Sequence, residues 1–408
     1  MTQSQTLLFI ILLIPFSFET LANFLNIKSI KTKIPKEFKE LYDEGKYKKS
    51  QTYLKETTTF GTIESFTSLI FTLIFIFSGG LNWLDSIGRS FLTGEIPLGL
   101  FFTGVLLLIS HIIGLPFSIY ETFIIEKKFG FNKTTVTTFI TDELKNLSLT
   151  IIIGGPILAF VIYFFLELGS LAWLVAWLAI TLVQLAIMFI APVLKMPLFN
   201  KFDPLPEGPL RSKIEDFAAK QNFKIQGIYT MDGGKRSTKA NAFFTGFGRF
   251  KRIVLFDTLI QKHTDDELVA VLAHEIGHYK KKHIIKLITL SIVTTGLSLY
   301  IASLFINNPV IFQLFRVEET SIYASLVFIG ILSSPIFEIL GVATNYISRT
   351  FEFEADHYAV QKFGHPKDFA LALKKLSVNN LSNLTPHSMK VILSYSHPPI
   401  LKRLEHIK

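Results

Sequence analysis

The sequence predicts an α-helical membrane protein: a seven-transmembrane-helix bundle with a small α+β domain on its cytoplasmic face. Three observations carry this. Apolar residues make up 49% of the 408, charged residues only 18%, and the mean hydropathy is +0.42. Soluble domains carry about 25% charge, so the surplus apolar surface must face lipid, and a disordered chain is excluded. Seven windows have the ~20 mostly apolar residues that a bilayer crossing needs. Finally, Lys and Arg content alternates between the connecting loops with every crossing. Length alone would suggest two or three soluble domains of about 150 residues, and the composition overturns that.

The windows run Leu7–Ile27, Ile63–Leu84, Ile96–Ile119, Leu147–Leu166, Leu168–Leu194, Ile284–Ile306 and Ser321–Ile347. The first has the position of a signal peptide. It lacks a basic n-region and an A-x-A-like site after its apolar stretch, so it is read as a retained helix. Only Glu167, Leu168 and Gly169 separate the fourth and fifth windows, which makes a tight hairpin.

Lys and Arg accumulate on the cytoplasmic side of a membrane. The Met1–Thr6 tail has none, whereas Lys28–Glu56 has nine lysines. Asp85–Glu95 has one basic residue, Glu121–Asn146 has four, the hairpin tip has none, and Lys195–His283 is rich in them. Asn307–Thr320 has one, and the tail from Ser348 is basic again. The N-terminus is therefore expected outside and the C-terminus inside. On this account the net charge of +9 records orientation and adds attraction to anionic lipid. No nucleic-acid motif accompanies it, so no nucleic-acid partner is expected. The absence of cysteine excludes disulfides, thiol catalysis and cysteine metal sites.

Four segments follow: residues 1–194 with five spans and basic loops, 195–283 as a cytoplasmic segment, 284–347 with two spans, and 348–408 as a second cytoplasmic segment. The two cytoplasmic segments share a face and are expected to complete one domain.

Within the first of them, His274-Glu275-Ile276-Gly277-His278 matches H-E-x-x-H, a pattern that a chain of this composition meets by chance about 0.01 times. Thr264–His283 carries helix signals. Thr264 can cap it, Glu267 completes a capping box, and Leu268, Val271 and Leu272 recur at helical spacing. Histidines four apart on a helix lie about 40° apart in projection, so both imidazoles can converge on one ion. Neutral His nitrogens with a carboxylate suit a single Zn2+. Glu275, about 100° round, can bond a water on that ion without ligating it, which is the place of a general base. His283 falls about 180° round the same helix and is expected to point away.

A third ligand is expected from Ser348–Asp356. Glu352 and Asp356 are four apart on one helix face, and one of them suits the ion while the other suits the free N–H of a ligating His. Spacing leaves the two interchangeable. Glu354, about 200° from Glu352, is expected to be solvated. Asn241–Phe250 and Ile253–Asp257 read as strands around a Gly246/Gly248 turn. An edge strand beside the motif helix can hold an extended peptide by backbone hydrogen bonds.

Together with Ser396-His397-Pro398-Pro399 and the following Arg403, these motifs identify a resemblance over nearly the whole chain. It resembles the type I CAAX prenyl protease family, integral-membrane zinc peptidases that clip C-terminal tripeptides from prenylated proteins. Asn241–Gly246 with Lys251–Asp257 looks like that family's strand pair, and Ser348–Asp356 looks like its third-ligand motif. The resemblance implies that Glu352 is the ligand, with Asp356 behind it. It implies that Asn241 and Ala242 line the substrate groove and that His397 assists catalysis at the oxyanion. Arg403 would orient a substrate carboxylate or tie helices together. A water-filled chamber is implied too, which the in-span Glu19, Glu64, His111, Ser333, Ser334 and Glu338 would line, unless they serve interhelical hydrogen bonding.

The expected fold is thus a seven-transmembrane-helix bundle with a cytoplasmic zincin-like α+β metalloprotease domain. The expected function is a zinc metalloendopeptidase acting near the C-terminus of prenylated CAAX-type or other membrane-associated peptides. The alternatives are a quality-control zinc peptidase with no prenyl requirement, and a seven-span transporter or scaffold with a structural zinc site. A structural site is closed by four protein ligands, so an intact Glu275 favours catalysis. A site-2-type intramembrane protease is disfavoured, because Thr264–Glu267 and Lys280–Lys282 flank the motif with polar residues. The expected partners are a peptide or protein substrate and the lipid bilayer. The expected location is a bacterial inner membrane in a prokaryote, or the endoplasmic reticulum or nuclear membrane in a eukaryote, with the active site cytoplasmic.

Overall fold

The computed structural model describes residues 2–191, 196–245 and 252–407. Among the described residues, six helices are long and apolar enough to cross a membrane: Gln3–Lys28, Glu44–Phe77, Glu95–Phe129, Val136–Glu167, Gly169–Ile190 and His283–Ser303. The seventh crossing is a pair, Ile322–Leu332 and Ser334–Phe363, bent by 55°. Between 6% and 17% of each of the six apolar windows is buried against the rest of the chain, so their side chains are left for lipid.

Local chemistry sets the ends of these helices. Thr2 and Gln5 form a capping box at the first, and the Asp43 carboxylate accepts the Lys46 N–H at the start of the second. The second helix stops at Phe77, short of the expected Leu84. Gly79 adopts φ +84° there, and a Cβ on Gly80 would meet Phe75 at 2.7 Å, so the chain turns sharply. Leu81 and Leu84 are buried on a separate short helix, Gly80–Phe91. Gly169 at φ +50° closes the expected hairpin between the fourth and fifth spans. The last residues of the fifth window lie outside the described residues. In the seventh, Pro335 sits in the first turn after Ser333. Its missing N–H and its ring break the ladder and bend the span. The second half then continues unbroken to Gly364, so Ser348–Asp356 is one helix with the membrane crossing.

Among the described residues, a four-stranded sheet comprises β1 (Phe202–Pro204), β2 (Gly227–Met231), β3 (Ala242–Thr245) and β4 (Arg252–Phe256), ordered β1-β2-β4-β3. β2 and β4 are parallel, and the other pairs are antiparallel. Ile253, Val254 and Leu255 of β4 are buried in succession, as expected of a strand covered on both faces. β3 is an edge. The described part of the expected Asn241–Phe250 strand is shorter, and its Gly246/Gly248 turn lies outside the described residues. Asp257 leaves the strand, because its carboxylate accepts the Thr258 and Gly234 N–H groups and turns the chain.

One core joins the two segments expected on the cytoplasmic face. Ile228, Ile253 and Leu255 of the sheet pack with Leu268, Leu272 and Ile276 of the motif helix and with Tyr358, Phe369 and Leu404 of the tail. Phe38, Tyr42 and Tyr47, from the lysine-rich loop after the first span, complete it.

The motif helix, Asp265–Lys280, crosses Ser334–Phe363 closely. A Cβ on Gly277 would lie 3.1 Å from Ala355 Cα and 3.2 Å from its carbonyl oxygen. Gly277→Val is therefore expected to cost about 1–3 kcal/mol by overpacking. Gly104→Val, with nothing within 4 Å of the added Cβ, is the control. Thermal unfolding in detergent checks this, and equal melting temperatures for the two variants would refute the close crossing.

Candidate metal centre

The motif helix is anchored before it reaches the site. The expected capping box is present: the Thr264 hydroxyl accepts the Glu267 N–H and the Glu267 carboxylate accepts the Thr264 N–H. Buried Glu267 also pairs with His263 at 3.0 Å and Lys375 at 2.6 Å. Two turns on, His274 and His278 emerge from one face with their Nε2 atoms 3.1 Å apart.

Glu352 faces them across the helix crossing. Its Oε2 is 3.4 Å from His274 Nε2 and its Oε1 is 3.2 Å from His278 Nε2. The three donor atoms lie within 4.8 Å of one another. Glu352 Oε2 is buried and accepts no hydrogen bond among the described residues, which a buried acceptor rarely tolerates. A cation between the three would satisfy it. Two imidazole nitrogens and one carboxylate, with one position left open, fit a catalytic divalent metal.

Asp356, one turn on, faces the other side of His274, with Oδ1 2.8 Å from its Nδ1. Arg403 is buried behind it and clamps Asp356 with Nε at 2.8 Å and with Nη2. Its Nη1 is 3.4 Å from Glu352 Oε2. Its guanidinium thus ties the tail to the two carboxylates of the Ser334–Phe363 helix.

His283 departs from expectation. It does not continue the motif helix. That helix ends at Lys280, Lys282 takes φ +58°, and His283 opens the sixth span. The change of direction folds its ring back onto the site, where Nδ1 lies 3.1 Å from His278 Nδ1. Its Nε2 lies 3.1 Å from Glu354 Oε2. Glu354 is therefore paired as well as partly solvated, with 39% of its side chain exposed. No Gly or Pro marks this break in the sequence, so helical counting carried His283 to the wrong face.

Glu275 lines a cavity of about 690 Å³ together with Asn241, Ala242, His397 and Arg403. Asn241 precedes β3, an edge of the described sheet, and its side-chain oxygen accepts the Ala242 N–H. His397 is exposed at the mouth, with Nε2 3.4 Å from Glu352 Oε1 and Nδ1 paired to the Ser396 hydroxyl. Burial lowers the His274 pKa, but the carboxylates of Asp356 and Glu352 outweigh it and raise it to about 9. Burial raises the Glu275 pKa, and the neighbouring histidines offset part of that. Among the in-span polar residues, His111 pairs with Glu143 at 3.6 Å. Ser333 lines a separate cavity of about 400 Å³ inside the bundle, with Thr294, Thr295, Ser298 and Thr344.

Comparison with known proteins agrees with this architecture. Residues 23–201 match the family described as CAAX prenyl protease N-terminal, five membrane helices, and residues 204–408 match peptidase family M48. A CAAX prenyl protease 1 homolog of Arabidopsis thaliana is 34% identical, over 97% of this chain and 95% of its own. A CAAX prenyl protease 1 homolog of Homo sapiens is 32% identical, over 92% of this chain and 89% of its own. The crystal structure of S. mikatae Ste24p superposes with a TM-score of 0.94 at 31% identity, covering 100% of both chains. The chain belongs to the type I CAAX prenyl protease family, multi-pass membrane metallopeptidases of peptidase family M48.

Proposed function

We propose that the chain is a zinc endopeptidase that hydrolyses peptide bonds near the C-terminus of prenylated CAAX-type or other membrane-associated peptides, on the cytoplasmic side of its membrane. One observation carries this: His274, His278 and Glu352 converge in the cavity that Glu275 shares with β3, an edge strand of the described sheet. His274, His278 and Glu352 would hold the ion. Zinc bound there supplies a Lewis acid that polarises the scissile carbonyl and acidifies water.

The rest belongs to the chain itself. The outward-facing backbone groups of β3, the edge strand of the described sheet, can take an extended peptide as a further strand once Asn241 releases the Ala242 N–H. Glu275, its pKa lifted by burial, is basic enough to take a proton from the attacking water and pass it to the leaving amine. His397, at the open mouth, donates to the developing oxyanion. Arg403 works through Asp356, which accepts the His274 Nδ1–H and leaves the Nε2 lone pair facing the ion. Only Lys281 and Lys282 separate the motif helix from the sixth span, so the site lies at the membrane boundary. A lipid-tethered substrate is delivered to that level, and the lysine distribution favours the cytoplasmic side.

The direct test is to incubate the purified protein with prenylated and unprenylated peptides of one sequence, with and without a chelator, and map the cleaved bond by mass spectrometry. Chelator-sensitive cleavage near the C-terminus of the prenylated peptide is expected. Glu275→Gln should keep its zinc and lose about 10²–10⁴-fold in rate. Unaltered turnover in that variant would sink the general-base role, and equal cleavage of both peptides would remove the prenyl requirement. Glu352→Ala should lower bound zinc more than Glu354→Ala does, and equal zinc contents would remove Glu352 from the ligand set.

Zinc uptake should depend on pH with a definite sign. With a metal-free pKa of about 9, His274 carries a proton at pH 7 that zinc must displace. Affinity should therefore rise with pH and level off above about 9. Calorimetry at pH 7 in two buffers of different ionisation enthalpy should show proton release, and its absence would show His274 already neutral.

A further inference from the structure

The two metal-facing histidines are braced differently. His274 meets a carboxylate directly, in Asp356. His278 meets His283, and His283 meets Glu354. We propose that His283 and Glu354 form a positioning relay that fixes the ring of His278 and aims its Nε2 at the metal. The proposal takes the zinc centre above as given and adds to it a residue pair outside the H-E-x-x-H motif and its ligand Glu352.

A metal on His278 Nε2 would fix the protons of the relay. His278 Nε2 faces Glu352 Oε1 at 3.2 Å and needs its lone pair for the ion, so its proton is on Nδ1. That N–H points at His283 Nδ1, 3.1 Å away, which must then accept. The His283 proton is left on Nε2, which donates to Glu354 Oε2 at 3.1 Å. With a cation on His278 Nε2 each nitrogen has a complementary partner, whereas every other neutral arrangement sets two donors or two lone pairs face to face within the relay.

The relay is also held mechanically. His283 is 1% exposed, and its ring lies on Phe351 at 4.1 Å between centroids and 2° between planes. His283 is the first residue of the sixth span, whereas Glu354 and Phe351 stand on the helix that continues the seventh. The angle of one metal ligand is thereby tied to two membrane helices.

The test uses the full-length, zinc-loaded protein in detergent and reads zinc release to a colorimetric chelator, beside the thermal midpoint of the metal-free protein. His283→Phe keeps a ring on Phe351 and removes both nitrogens. Partners of this kind contribute about 10–100-fold to metal affinity, so zinc release should accelerate by about tenfold or more with an unchanged metal-free midpoint. His283→Asn, which restores an acceptor near Nδ1, should recover part of the loss, and Glu354→Gln should shift release in the same direction by less. Wild-type release from His283→Phe, or an Asn variant no better than Phe, would overturn the relay. Should His283→Phe fail to fold, wild-type release from both His283→Asn and Glu354→Gln would overturn it equally. A wild-type protein that binds no zinc would overturn the metal centre itself. One that binds zinc but cleaves no peptide would overturn only the proposed activity.

Discussion

The close crossing of the motif helix over Ser334–Phe363 is the constraint on which the rest depends. Gly277 opposite Ala355 lets two backbones meet, and only at that separation does Glu352 reach between His274 and His278. The crossing also buries charge: Glu352 is 4% exposed, Asp356 1% and Arg403 8%. Buried ions are costly unless paired. Arg403 balances Asp356, and the histidines compensate Glu352 only if one of them takes a proton or a cation sits between them. The raised pKa of His274 expresses the first solution, and a metal ion would be the second. Both follow from a donor set that is short of one positive charge.

The membrane bundle supplies the rigidity. Glu352 rides on a helix that leaves the bilayer without a break after the Ser333 bend. His283 begins the sixth span, and Glu267 pins the start of the motif helix to Lys375. Ligands on packed helices hold their geometry better than ligands on loops. Asn241 and His397 stand apart from those helices and line the cavity, where the proposed activity would have to accommodate an incoming peptide.

What the sequence revealed divides along the range of the interactions. The H-E-x-x-H motif, the Thr264–Glu267 box and the four-residue spacing of Glu352 and Asp356 are local regularities of one helix, so they were legible from spacing alone. Which of the two carboxylates faces the histidines was not, because that depends on how two helices cross. His283 was misplaced for a related reason: a non-glycine residue, Lys282, takes a left-handed conformation with no compositional mark. The nine lysines of Lys28–Glu56 count toward the expected orientation, but the aromatic residues among them, Phe38, Tyr42 and Tyr47, pack into the domain core, a long-range contact that no periodicity announces.

The sheet edge adds a constraint on what can be bound. An unpaired edge strand is an aggregation hazard that proteins usually cover or charge, yet β3 is an edge of the described sheet, and Ala242 and Phe244 line the cavity beside Glu275. A strand added there must be extended, so a folded segment cannot present its backbone to the site. Chain termini are the parts of a protein most readily drawn out. The motif helix ends two residues before a membrane helix, so a terminus tethered near the bilayer would also be held near the depth of the proposed site. For the activity proposed above, edge pairing and depth would favour the same substrate geometry independently: an extended tail close to a lipid anchor.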